Sequence, residues 1–288
     1  GDVFFYDSEL SNNFTLEMNS PGGGFSTGIL GTGTLRVLRS IVIDNYTIGD
    51  NSEGGGIAQS RGDSEDHEIR DSLIKGNSTA GRFSDGGGIF YESLETLQIV
   101  DSEVSGNRTT GENADGGGIF GAGAIDAINS TFSGNSTFGN GAGIYIEERF
   151  GSIVEHSTVT DNHAIGAFSK GGGLYAENSS QIVIWSSILA ENTAPTTPGG
   201  NPDLRFGFTP SIAFSLIGDK SGTTLTESQT PDANGNLIGS ESGGGIIDPL
   251  LGPLQTNGGP ILPNGAAIQT HALLPGSPAI DMGDPAFT

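Results

Sequence analysis

The chain has no cysteine, which excludes disulfides, thiolate catalysis and zinc sites built on sulfur. Tryptophan occurs once, methionine twice, and only 34% of residues are hydrophobic. Core positions are therefore small and thinly spread, a poor match to a helical bundle. Basic residues number 11 against 34 acidic ones, for a formal net charge of −23. A phosphate backbone would be repelled, so nucleic acid is not an expected partner. The same charge favours divalent-cation uptake and disfavours an anionic polysaccharide unless cations mediate the contact. No run of 18 apolar residues occurs, so no membrane insertion is expected within this chain. The start at Gly1, without Met or a basic segment leading into an apolar one, reads as a mature or trimmed fragment.

Glycine is abundant, with 49 residues, and much of it recurs in one pattern. An asparagine returns at Asn45, Asn77, Asn107, Asn135, Asn162 and Asn192, at steps of 32, 30, 28, 27 and 30 residues. Five residues before each stands a serine: Ser40, Ser72, Ser102, Ser130, Ser157 and Ser187. Three before stands Val42, Ile74, Val104, Phe132, Val159 or Leu189, and eight before stands Val37, Ile69, Ile99, Ala127, Val154 or Ile184. GGGI, GAGI or GGGL follows the first five asparagines, mostly nine residues on.

Positions ten and eight before the asparagine share a strand face, as do five and three, whereas the three-residue steps between and after them do not. Each unit is expected to hold two very short strands joined by a bend, with the glycine run supplying a third. Such a unit cannot bury its apolar face alone, and stacking turns each position into a column. The expected fold is all-β: a single-stranded parallel β-helix of about 30 residues per coil. Asparagine side chains are expected to ladder amide to amide along the axis, and the serines to bond in the same way. Residues 1–34 are expected to form a cap or incomplete first coil, 35–194 the regular repeats, and 195–288 irregular C-terminal coils and a cap, in one continuous domain.

The GGGI and S-x-[IVF]-x-x-N signatures across 35–192 resemble right-handed parallel β-helix repeat proteins of bacterial surfaces, with a pectin-lyase-like solenoid. "FSLIGD", "IDPLLGPLQTNGGP" and "THALLPGSPAIDMGDP" resemble the segment preceding the anchor in choice-of-anchor Q domain-containing proteins. The resemblance implies export from a bacterium and an extracellular or cell-surface place, with the anchor itself expected outside this chain. It implies no activity, since the fold also carries polysaccharide lyases, hydrolases, epimerases and adhesins. The expected function is a non-catalytic structural or adhesive element. Its expected partners are surface or extracellular glycans, or further copies stacked head-to-tail into filaments. The alternative is a polysaccharide-active enzyme, which should carry a groove lined with acids and aromatics along one wall.

The glycine runs lack the G-x-x-x-x-G-K-[ST] and G-x-G-x-x-G spacings of phosphate cradles and read as corners. Glu53, Asp85 and Asp115 precede three of them and would stack about 5 Å apart, where Ca²⁺ would relieve the repulsion. No other cofactor is expected. No Asp-Asp pair or Arg-x-Lys occurs for uronate hydrolysis. Arg36, Arg39 and Arg70 come nearest to a basic group, with Arg36 and Arg70 read as sharing a register position. His67, His156, His163 and His271 repeat no metal-ligand spacing. Arg61-Gly62-Asp63 spells an integrin-type tripeptide, read as accidental, and the sequons at Asn77 and Asn135 fall on expected buried positions.

Overall fold

The computed structural model describes residues 2–27, 33–60, 67–147, 151–177, 181–195, 200 and 202–286. Every regular element among them is a strand. Four parallel sheets of eight, nine, six and seven strands run the length of the molecule as a right-handed β-helix. One coil shows the plan: Leu35–Leu38 lies in the first wall, Ile41–Ile43 in the second, Tyr46–Thr47 in the third and Ile57–Ser60 in the fourth. Each pairs in parallel with its counterpart 32 residues on, as in Val42 with Ile74 and Thr47 with Thr79. The expected three strands per coil are thus four. The third wall is two residues long, too short to leave a periodic trace in the sequence.

The core columns stand where the spacing puts them. Val37, Ile69, Ile99 and Ala127 line the first wall inside, and Val42, Ile74, Val104 and Phe132 the second, all fully buried. Each such Ile, Val or Phe contributes about 1.5–3 kcal/mol through burial. The three-residue step between the two columns has a backbone cause. Asp7, Arg39, Asp71, Asp101, Asn129, His156 and Ser186 all sit at a left-handed φ between 46° and 51°. A left-handed residue at this place in each coil turns the chain, so the next serine faces inward instead of out. Asp and Asn, which tolerate this region best, fill four of the seven places.

The glycine corner is also a matter of room. Gly86 has φ +67°, while a Cβ at Gly88 would lie 2.9 Å from the Asn107 amide carbon and 2.6 Å from the Gly118 carbonyl oxygen. The third glycine of each run is the space into which the next asparagine fits.

The ends differ from the regular middle. Residues before Leu35 supply all four walls, with Val3–Tyr6, Glu9–Ser11, Phe14–Thr15 and Phe25–Thr27 paired in register to the next coil. After Asn192, Leu204–Phe206, Ser211–Ala213, Leu216–Ile217 and Leu237–Ile238 extend the helix. The chain then stops coiling and doubles back outside the second wall. Antiparallel bridges Leu251 to Leu273, Gln255 to Thr270 and Ile261 to Ala267 make a strap whose tip, Asn264, bonds Glu9 of the first coil at 3.0 Å. Leu262 and Ile268 pack on Ile41 and Leu73, and Ala279 and Met282 on the cluster of Ala190, Leu216 and Leu237. Segment 249–285 carries no S-x-[IVF]-x-x-N signature, the motif whose columns close each coil.

Gly88→Ala should lower stability by about 1–3 kcal/mol, read by denaturant unfolding, because its Cβ meets backbone and a locked amide. Gly283, with nothing near its Cβ position, should accept alanine with a change below about 0.5 kcal/mol.

Candidate functional site

The stacked polar columns are the first candidates, and their bonding has a direction. Asn45 donates from its main-chain N and its Nδ2 to Asn77 Oδ1, both at 3.0 Å, and from Nδ2 back to Leu10 O at 2.9 Å. Asn77, Asn107, Asn135 and Asn162 repeat this set with the coils on either side. The serine column works differently from the expected side-chain ladder. Ser40 N donates to Ser72 Oγ at 3.1 Å, and Ser72 Oγ donates to the carbonyls of Arg70 and Val37. Ser72, Ser102, Ser130 and Ser157 continue the main-chain to Oγ step, as far as Ser187 and Ser215. These residues are buried and wholly engaged, so they hold coils together and leave nothing for a ligand. Asn77 and Asn135 are fully buried, which bars glycans there.

The amide ladder ends on a residue that the spacing did not flag. Asn192 donates from N and Nδ2 to Asp203 Oδ1 at 3.1 and 2.9 Å, and Asp219 N donates to Asp203 Oδ2 at 2.5 Å. Burial pushes the Asp203 carboxyl up to about 7, against the pull of these donors. A carboxylate here replaces the next asparagine, and only the fold places it in that column.

Glu53, Asp85 and Asp115 do stand in one column, followed by Asn140 and Lys170, as the hydrogen bonds of the neighbouring glycines show. Asp85 Oδ1 accepts Asp115 N at 2.7 Å, Asp115 Oδ1 accepts Asn140 N at 2.5 Å, and Asn140 Oδ1 accepts Lys170 N at 3.0 Å. The side chains bond forward along the chain, and among the described residues no three His, Asp or Glu side chains form a metal-holding group. Burial pushes Asp85 up to about 8 and Asp115 to about 6. Glu53 is raised for the same first reason, with Glu92 adding repulsion.

Beside this column the fourth wall carries an outward aromatic row. Phe90, Phe120, Tyr145 and Tyr175 stack with centroids 4.9–5.4 Å apart and planes within 10°. Tyr145 donates to Glu177 Oε2 at 2.6 Å, and burial, then this bond, raises its hydroxyl pKa. Acids and aromatics thus share one wall. The ring faces are spent on one another, however, and Phe120 and Tyr145 are only 6% and 4% exposed.

The arginines do not group. Arg36 lies opposite Glu68 and Arg70 opposite Leu38, so the two are two residues out of register. Arg70 pairs with Glu68 at 2.6 Å and Asp101 at 3.4 Å, and Arg39 with Asp7 at 2.8 Å. The histidines are dispersed as well. Buried His67 accepts Leu35 N at Nδ1, 2.8 Å away, His163 bonds Thr193, and His271 bonds Ser133 Oγ at 2.9 Å beneath the strap. Arg61-Gly62-Asp63 lies outside the described residues.

Folding keeps Asp85, Asp115 and Asp203 protonated to higher pH than the unfolded chain does. Their favourable contribution is full below about pH 4 and is lost as pH rises through about 6, 7 and 8. Asp85→Asn, which copies Asn140 in the same column, should raise Tm at pH 8.5 and reduce the fall in Tm between pH 5 and 8.5. Removal of divalent ions with EDTA should leave Tm unchanged, because backbone N–H groups already engage the Asp85 and Asp115 carboxylates. No protein-family model, curated protein or solved structure matches the chain.

Proposed function

We propose that this chain is a non-catalytic structural and adhesive β-helix, exported by a bacterium and held at or near the cell surface. One observation carries the reading: the columned amides, hydroxyls and carboxylates are consumed in bonds between coils. An enzyme would need some of them free and convergent. The C-terminal resemblance to choice-of-anchor Q proteins supports a place at the surface. Exposed apolar pairs support adhesion. Leu16 with Ile48, and Phe138 with Ile165, share one register position outside the third wall, each at least 45% exposed, with Ala80 and Thr110 in the two coils between the pairs.

Head-to-tail stacking through strand edges would have to displace Ser228 from its antiparallel bridge on Ile238 of the last strand, so filaments are not part of the reading. A polysaccharide-active enzyme is the competing reading, and the acid-flanked aromatic row is the observation in its favour. Its buried ring faces offer a sugar no platform.

Incubation with pectin, alginate and other uronate polymers, with and without Ca²⁺, should release no reducing ends and no unsaturated products. Specific turnover of any one polymer, abolished by Asp115→Asn, would establish the enzymatic reading instead.

A further inference from the structure

Where the first wall reaches its last strand, a cleft of about 590 Å³ opens between Ser211–Ala213 and the segment that folds over the final coil. That volume suits a small ligand. The coil plan sets its aromatic side. Trp185 lies opposite Ala213 of the following coil, so a large ring is set against a methyl and room is left beside the indole. Phe214 comes next at a left-handed φ of 52°, its ring 5.5 Å from Trp185 and inclined at 58°. The two rings form an angled pair, unlike the flat stack on the fourth wall, and Trp185 stays partly exposed. Gly235 lets the overlying loop press on Phe214, since a Cβ there would stand 2.6 Å from the ring.

The polar groups of the cleft divide into two sets. Asp232 is spent on the loop itself: Oδ1 accepts Asn234 N and Asn236 N, both at 2.8 Å, and Oδ2 accepts Asn236 Nδ2 at 3.2 Å. The strand edge is engaged as well, with Ile212 O accepting Asn236 Nδ2 at 2.9 Å and Phe214 N donating to Asn234 O at 2.9 Å. An added peptide strand would find these main-chain groups taken. The second set faces solvent. The Ser211 and Thr226 hydroxyls and the Asn234 side-chain amide are exposed and make no hydrogen bond among the described residues. Across the rim the Thr209 and Thr224 hydroxyls stand 3.5 Å apart. No Lys, Arg or His lines the cleft.

We infer that this cleft binds a short segment of a neutral glycan. A sugar ring presents an apolar C–H face and a rim of hydroxyls, the complement of an aromatic pair flanked by Ser211, Thr226 and Asn234. A uronate or sulfated chain does not fit, because the protein carries a net charge of −23 and the cleft offers no cation to offset it. With the Asp232 carboxylate held by main-chain donors, the site grips its ligand without cleaving it. The inference rests on the adhesive reading above and gives it a ligand class and a place.

Trp185 is the only tryptophan, so its emission reports on this cleft alone. The full chain, titrated with oligosaccharides cut from cellulose, xylan, mannan and galactan, should show a saturable emission change with at least one of them and none with oligogalacturonate. Ser211→Ala combined with Thr226→Val, both at exposed positions, should leave Tm unchanged and weaken binding about tenfold. No emission change with any neutral oligosaccharide would overturn the inference, as would tighter binding of oligogalacturonate. Unchanged affinity in the double variant, or calorimetric binding without an emission change, would place the glycan elsewhere and overturn it too. Adhesion of the full chain to surfaces coated with the same polysaccharides separates the two claims. Adhesion retained while Trp185 stays silent removes the cleft and leaves the adhesive reading, whereas loss of both ends both.

Discussion

The structure depends on one constraint: a bend in each coil leaves main-chain N–H groups facing inward, where no water can meet them. An unpaired buried N–H costs about 1–3 kcal/mol, and a solenoid multiplies that cost by its coils. The chain answers with side chains borrowed from the following coil. Asn77 Oδ1 receives two donors from Asn45, and Ser72 Oγ receives the Ser40 N–H. Other features follow from this. The third glycine of each run is small because the asparagine amide occupies its side-chain space, and the left-handed residue before each serine is what turns the hydroxyl inward.

The same device explains how apparent chemistry is absorbed into architecture. His67 and Ser152 interrupt an apolar core column, yet each accepts a main-chain N–H from the preceding coil, Leu35 and Ile125 respectively. Asp85 and Asp115 bond the opposite way, accepting from the coil that follows. Interior and exterior columns therefore run antiparallel in hydrogen-bond direction. A main-chain donor offsets part of the desolvation of each of these acids.

Features that repeat at fixed offsets were legible in the sequence: the serine, asparagine, core and glycine columns all stand where their spacing puts them. Hydrogen-bond direction was not, since spacing is the same whichever partner donates. The first coil had a readable trace, because Phe5, Ser8, Leu10 and Asn13 keep the offsets of later coils. The strap left none, because its contacts join residues up to 255 apart and its segment follows no period. Asp203 was invisible for a related reason. It enters the amide column from a different part of the coil, eleven residues after Asn192 instead of about thirty.

The central claim is that neighbouring asparagines act as one ladder, and a double-mutant cycle of Asn107→Ala and Asn135→Ala tests it most directly. The two share bonds, with Asn107 N and Nδ2 both donating to Asn135 Oδ1 at 3.0 Å. Each single substitution should cost on the order of 3 kcal/mol in denaturant unfolding. The double substitution should cost less than the sum by about 1 kcal/mol or more. Single costs below about 1 kcal/mol, or strict additivity, would contradict the account.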